Sequence, residues 1–270
     1  MSAMQPVQGL GGRKLAVTVL MIRDTAHGLE VYVQERVSSM PTFPNTTVFP
    51  GGGVDLRDFE EQYCSDGSVY NIWGKADVEQ WANRLHTTNE YARGLIGGAV
   101  RELFEETGTL VAAHADGRLI DDATAYHKQR VALENHSLSL VQMLAENNLI
   151  IRSDLLFPFA RWVSGVEENH HFDVYSLLAI QVPGQEPDGN NREVSSTGWF
   201  PPALILDGWR AGLLNLVLPT WAQLLQLSHY TCVAEVIADT PTFDLTPIIG
   251  TPVEDARYQE FFTHTPVRRF

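Results

Sequence analysis

The 270-residue chain predicts an α/β fold, and three observations carry that expectation. Apolar, β-branched runs such as Lys14 to Arg23 and Val174 to Val182 read as buried strands. Amphipathic stretches with a period near 3.6, above all Ile96 to Thr107, read as helices. The two kinds are interleaved, with turn-rich segments between them.

Taken in order, Lys14 to Arg23 is the first strand, Asp24 to Gly28 a turn, and Leu29 to Arg36 the returning strand of a hairpin. Ser38 to Thr47 is a Pro-rich loop, and Thr47-Val48-Phe49 leads into Pro50-Gly51-Gly52-Gly53. In Leu56 to Leu95, Ala76, Val78, Trp81, Ala82 and Leu85 predict a helix over Lys75 to Ala92, preceded by a short helical turn at Asp58 to Tyr63. Thr109 to Ala113 is a short strand, followed by helices at Ala125 to Glu134 and Ser139 to Glu146; His127 and His136 are read as non-ligands. Strands follow at Leu155 to Ser164 and Val174 to Val182, and helices begin near Pro201 and Leu218. Thr231 to Ile237 reads as a strand, and the chain after it as Pro-rich and poorly patterned.

An apolar fraction of 44% is that of a globular protein, and no run of about 18 apolar residues is present to span a membrane. Met1-Ser2-Ala3-Met4-Gln5-Pro6 lacks the charged start and apolar core of a secretory signal. Cys64 and Cys232 make neither a metal spacing nor a disulfide framework, so free thiols and a cytoplasmic location are expected. A net charge of −14 argues against nucleic-acid partners. It also requires that an anionic small molecule be held by metal and a few local arginines. The sequence leaves open whether the chain is a homodimer.

The segment Ala99 to Gly108 carries the chemistry. Wound as a helix, it puts Val100, Leu103, Phe104 and Thr107 on one face and Glu102, Glu105 and Glu106 on the other. Like charges at these spacings cost roughly 0.2–0.5 kcal/mol per pair, and the helix dipole disfavours acids near its C-terminus. A solvated face is the bland reading; a bound cation is the sharper one. The preceding glycine loop favours the cation, because glycine lets backbone approach a ligand closely.

Gly51-Gly52, followed by Arg101-Glu102-Leu103-Phe104-Glu105-Glu106-Thr107-Gly108, resembles the Nudix box, the signature of Nudix hydrolases. The resemblance implies an α/β/α sandwich with a mixed sheet, spanning residues 10–228, with 229–270 as a C-terminal extension. It implies Mg²⁺ or Mn²⁺ held by Glu102, Glu105, Glu106 and the Gly52 carbonyl, with Gly51, Arg101 and Gly108 structural. Two departures stand out. The spacing from Gly52 to Arg101 is several times the usual one, so a helical insertion at 56–95 interrupts the box. The glutamate expected two helical turns before Arg101 falls on Arg93, with Glu90 as the nearby substitute.

The run Glu35 to Gly52 is similar to the segment preceding the box in coenzyme A diphosphatase-like Nudix proteins, some of which carry such an insertion. This implies hydrolysis of coenzyme A or acyl-CoA to 3′,5′-ADP and (acyl-)4′-phosphopantetheine. ADP-ribose or a dinucleotide such as NADH is the alternative substrate, and a non-catalytic nucleotide-binding regulator the alternative class. Catalytic candidates are Glu102, Glu105 and Glu193, any of which can serve as base. Substrate contacts are expected from Arg36, Arg161, Arg192 and Phe43. His170-His171 replace a basic residue of the branch ahead of Phe172-Asp173.

Overall fold

Alternation along Lys14–Thr25 (β1) sends Leu15, Val17, Val19 and Met21 to one face and Leu20 and Ile22 to the other, all buried. β1 can therefore lie only in the middle of a sheet covered on both sides. The structure, a computed structural model, describes residues 6–40, 42–61, 63–64, 68–74, 77–166, 171–189 and 193–264. Gly28–Arg36 (β2) returns antiparallel to β1, with Ile22 opposite Val31. Thr47–Val48 (β3) pairs with β2, while Gly51–Gly53 (β4) pairs with the first half of β1, Val17 opposite Gly52.

A 3₁₀ turn at Leu56–Phe59 follows, and the insertion then folds differently from the single helix expected over Lys75 to Ala92. Lys75 and Ala76 lie outside the described residues. Val78–Arg84 (α1) forms one short helix, and the chain breaks at His86, where φ is +52°. Thr88 then accepts a bond from the Tyr91 N–H at 3.3 Å and starts a new helix, Asn89–Thr107 (α2). Residues 89–95 thus belong to the box helix. Gly108, at φ +73°, ends α2 with its N–H on the Phe104 carbonyl at 2.9 Å.

Ala112–His114 (β5), His127–Glu134 (α3), Leu140–Glu146 (α4) and Leu149–Ile151 (β6) come next, β5 and β6 forming a separate two-stranded ribbon. Leu156–Val163 (β7) runs antiparallel to Phe172–Ile180 (β8), and β8 runs parallel to β1 over its whole length. Val194–Phe200 (β9) adds to β2. Pro202–Arg210 (α5) and Leu218–Leu227 (α6) lead to Val233–Asp239 (α7), Ile248–Ile249 (β10) and Gln259–Thr263 (α8). The main sheet is mixed, in the order β10-β7-β8-β1-β2-β3, with β4 and β9 attached to β1 and β2.

The expected strand at Thr231 to Ile237 is helix α7. Val236 and Thr240 are buried while Val233 and Ile237 are half-buried, a helical spacing that outweighs the β-branched composition. The described part of the tail, up to residue 264, covers the sheet: Phe243 packs edge-on against Phe159, and Phe261 packs on Trp209 and Trp221. β10 extends β7, and Arg210 pairs with Glu260. One core therefore lies between the sheet and α2, α4 and the insertion, the other between the sheet and α5 to α8. The α/β/α sandwich follows from the alternation of β1. Among the described residues no helix is long and apolar enough to cross a membrane.

Candidate active site

The site is assembled around a buried guanidinium. Arg101 on α2 uses all five of its N–H donors. Asp58 accepts two, at 2.8 and 2.9 Å; the Gly53 carbonyl accepts one at 2.9 Å; Glu102 and Glu105 accept at 2.8 and 3.4 Å. The Asp58 side chain is fully buried and also receives the Asp55 N–H at 2.9 Å, closing a reciprocal cap on the 3₁₀ turn. Asp58 is the acid that sequence reasoning missed. It stands at the box position of the absent glutamate when spacing is counted forward from Gly52, ahead of the insertion, and not back from Arg101. Glu90 is exposed, and exposed Arg93 faces Glu61 at 3.9 Å, so neither fills that role.

Gly52 permits a close approach in the site. A Cβ there would stand 2.5 Å from a Glu102 carboxylate oxygen, so a larger residue would push that carboxylate aside. The ladder bonds Val54 N–H to Leu15 O and Val19 N–H to Pro50 O flank this pair. Alternation along the ladder then turns the Gly52 backbone toward Val17 and the Gly51 and Gly53 backbone toward α2. Gly51 accordingly donates its N–H to Glu106 at 3.0 Å, and the Gly53 carbonyl accepts from Arg101. Gly52 itself makes room for the Glu102 carboxylate.

The three box glutamates are partly exposed, yet burial dominates their acidity. It pushes Glu106 up to about 8, with the Glu102 charge adding to the effect and the Gly51 N–H opposing it. Glu105 rises to about 7, burial outweighing the Arg101 charge, and Glu102 is raised by burial in the same way. Among the described residues no three acidic or histidine side chains converge into a ready metal cluster. The reason is visible: Arg101 draws Glu102 and Glu105, and Gly51 draws Glu106. The donor set nonetheless fits a hard divalent cation, being oxygen-only carboxylates whose buried charge one arginine does not neutralise.

Glu193 and Arg36 lie beside this group: they face each other at 3.6 Å, and both charges act on Glu106. The buried Arg36 Nε has no hydrogen-bond partner among the described residues, and the side chain as a whole is part-exposed. Arg161 is otherwise engaged. Its fork binds buried Asp173 at 2.8 and 2.9 Å and stacks over Tyr175, so the expected phosphate contact is a strut between β7 and β8. Phe43 sits on the loop before β3, 39% exposed, with φ +51°. Arg192 and His170 lie outside the described residues.

Arg130 was also missed. It donates to the Glu105 carbonyl at 2.9 Å, placing a cation at the negative end of α2, and grips Asp188 at 2.8 and 2.9 Å. Asp188 in turn bonds the Thr107 carbonyl through its N–H, tying the loop before Glu193 to the box helix.

No family model matches the chain. It is 23% identical to the acyl-coenzyme A diphosphatase NUDT19 of Xenopus laevis, over 83% of this chain and 71% of that protein. Its fold superposes on a NUDIX hydrolase from Alicyclobacillus acidocaldarius with a TM-score of 0.69 at 24% identity, covering 88% of this chain and all of that one. With the box assembled as described, the chain has the Nudix fold and is related to the coenzyme A diphosphatase branch of the Nudix hydrolases.

Proposed function

We propose that the chain is a metal-dependent Nudix pyrophosphohydrolase that cleaves coenzyme A or acyl-CoA to 3′,5′-ADP and (acyl-)4′-phosphopantetheine. The observation that carries the hydrolase reading is the closure of the glycine loop on Glu102 and Glu106 around fully engaged Arg101. Glu102, Glu105 and Glu106 would hold Mg²⁺ or Mn²⁺. When bound, such an ion screens the diphosphate and lowers the pKa of a water. Arg101 and Asp58 fix the acids in place, and Arg36 offers its part-exposed guanidinium to a phosphate oxygen. Glu193 or a box glutamate accepts the proton from the attacking water. The insertion, residues 56–95, and the tail serve as walls of the same Nudix domain.

The choice of coenzyme A is supported by the Glu35 to Gly52 run and by the relationship to the Xenopus laevis enzyme. The test is a panel of CoA, acyl-CoA, ADP-ribose, NADH and diadenosine polyphosphates with Mg²⁺ or Mn²⁺, products resolved by chromatography. A CoA species should show the highest kcat/KM. If ADP-ribose or NADH is markedly better, the substrate assignment is wrong while the hydrolase reading stands. Turnover of none of them would leave a nucleotide-binding regulator.

A further inference from the structure

With a net charge of −14, the chain repels an anionic substrate unless a cation is placed at the site. The arginines near the box are largely committed: Arg101 to Asp58 and two glutamates, Arg36 to Glu193, Arg130 to Asp188 and Arg161 to Asp173. Lys14 is different. Among the described residues its ammonium has neither an ion-pair partner nor a hydrogen bond, only the Phe172 ring at 6.0 Å.

Its position is set by the sheet. Lys14 opens β1, its N–H bonds the His171 carbonyl at 2.9 Å, and its exposed side chain folds back across β4. A Cβ on Gly53 would meet Lys14 Cε at 2.6 Å and Nζ at 3.0 Å, so the absent side chain at Gly53 is what lets the lysine lie there. Gly53 is held by Arg101, and its neighbour Gly52 is the residue against which Glu102 packs. The Lys14 charge is close enough to act on Glu102.

We infer that Lys14 is a substrate-binding residue whose ammonium, lying over Gly53, takes a phosphoryl oxygen of the diphosphate. This deepens the function proposed above and rests on it. An ammonium on a flexible stem suits that role, since it supplies three donors and a full charge without a fixed geometry.

The test uses α,β-methylene-ADP, which cannot be hydrolysed at its bridge, with Mn²⁺, and adenosine as the uncharged control. Calorimetry on the full chain should show Lys14→Met binding the diphosphate about tenfold more weakly, with adenosine affinity unchanged. Lys14→Arg should retain affinity within about threefold, because the charge is kept. Equal diphosphate affinity in wild type and Lys14→Met, or a proportional loss for adenosine, overturns the inference. In steady state, wild-type turnover with an unchanged KM in Lys14→Met refutes Lys14 and leaves the hydrolase reading intact. If wild type turns over no diphosphate, that reading falls, and the calorimetry alone decides Lys14.

Discussion

Glu106→Gln separates the stability of the site from its chemistry. Burial holds the Glu106 carboxyl at about 8 in the folded chain against an ordinary value of 4.5. Folding therefore takes up a proton between those values, and stability falls as pH rises from about 4.5 to about 8. At about 1.4 kcal/mol per pKa unit, ionising Glu106 in the metal-free protein costs at most about 5 kcal/mol. Glutamine keeps an oxygen for the Gly51 N–H and removes that loss. Recovering half of it raises Tm by roughly 5–10 °C in a chain of this size. Thermal unfolding in EDTA should show this advantage at pH 8.5 and almost none at pH 5, where the wild-type carboxyl is already protonated. Mn²⁺ should stabilise wild type more than the variant, narrowing the gap, while the variant loses most hydrolytic activity. Equal Tm values at pH 8.5 in EDTA, or the same advantage at pH 5, would refute the assignment of excess buried charge to Glu106.

Asp58→Ala leaves a buried guanidinium without its main partner and should cost about 3–5 kcal/mol by denaturant unfolding; a loss under about 1 kcal/mol would show that the pair is dispensable. Glu105→Gln should lower activity with little effect on metal-free stability below pH 6, since its carboxyl titrates near 7; a near-normal rate at limiting Mg²⁺ places the site elsewhere. Truncation after Ser228 uncovers Trp221 and Phe159 and should give insoluble protein, and a soluble product with the parental Tm contradicts the tail's part in the second core. Limited proteolysis should spare Val78 to Leu95, where Ala82, Leu85, Ala92 and Leu95 are buried; rapid cutting there, unaffected by ligand, sinks the reading of the insertion as a folded wall.

The parts of the fold legible in the sequence were those with a strong local period. The β1–β2 hairpin and the apolar stripe of α2 appear where expected, because each buries a face that the sequence spells out residue by residue. The α7 assignment failed where composition and period conflict, and the period of Val233, Val236, Ile237 and Thr240 was the better guide. Arg161 shows a different limit: its partner Asp173 faces it from the adjacent strand, and nothing local distinguishes a strut from a ligand contact. The same holds for Arg130 and Asp188, 58 residues apart. The Asp58–Arg101 pair was readable in principle, since the glycine fixes the count as well as the arginine does.

The Asp58–Arg101 clasp joins residues 43 positions apart, at the two mouths of the insertion. Anything spliced between them is a loop whose ends are already pinned by a buried ion pair. Doubling the length of such a loop adds only about 0.6 kcal/mol of closure cost. The box carboxylates need not register what the intervening chain encodes. Descent, or an engineer, can exchange the module between residues 60 and 88 for another of different size and recognition chemistry. The clasp makes the catalytic motif a socket, so selectivity can diversify there without renegotiating the reaction centre.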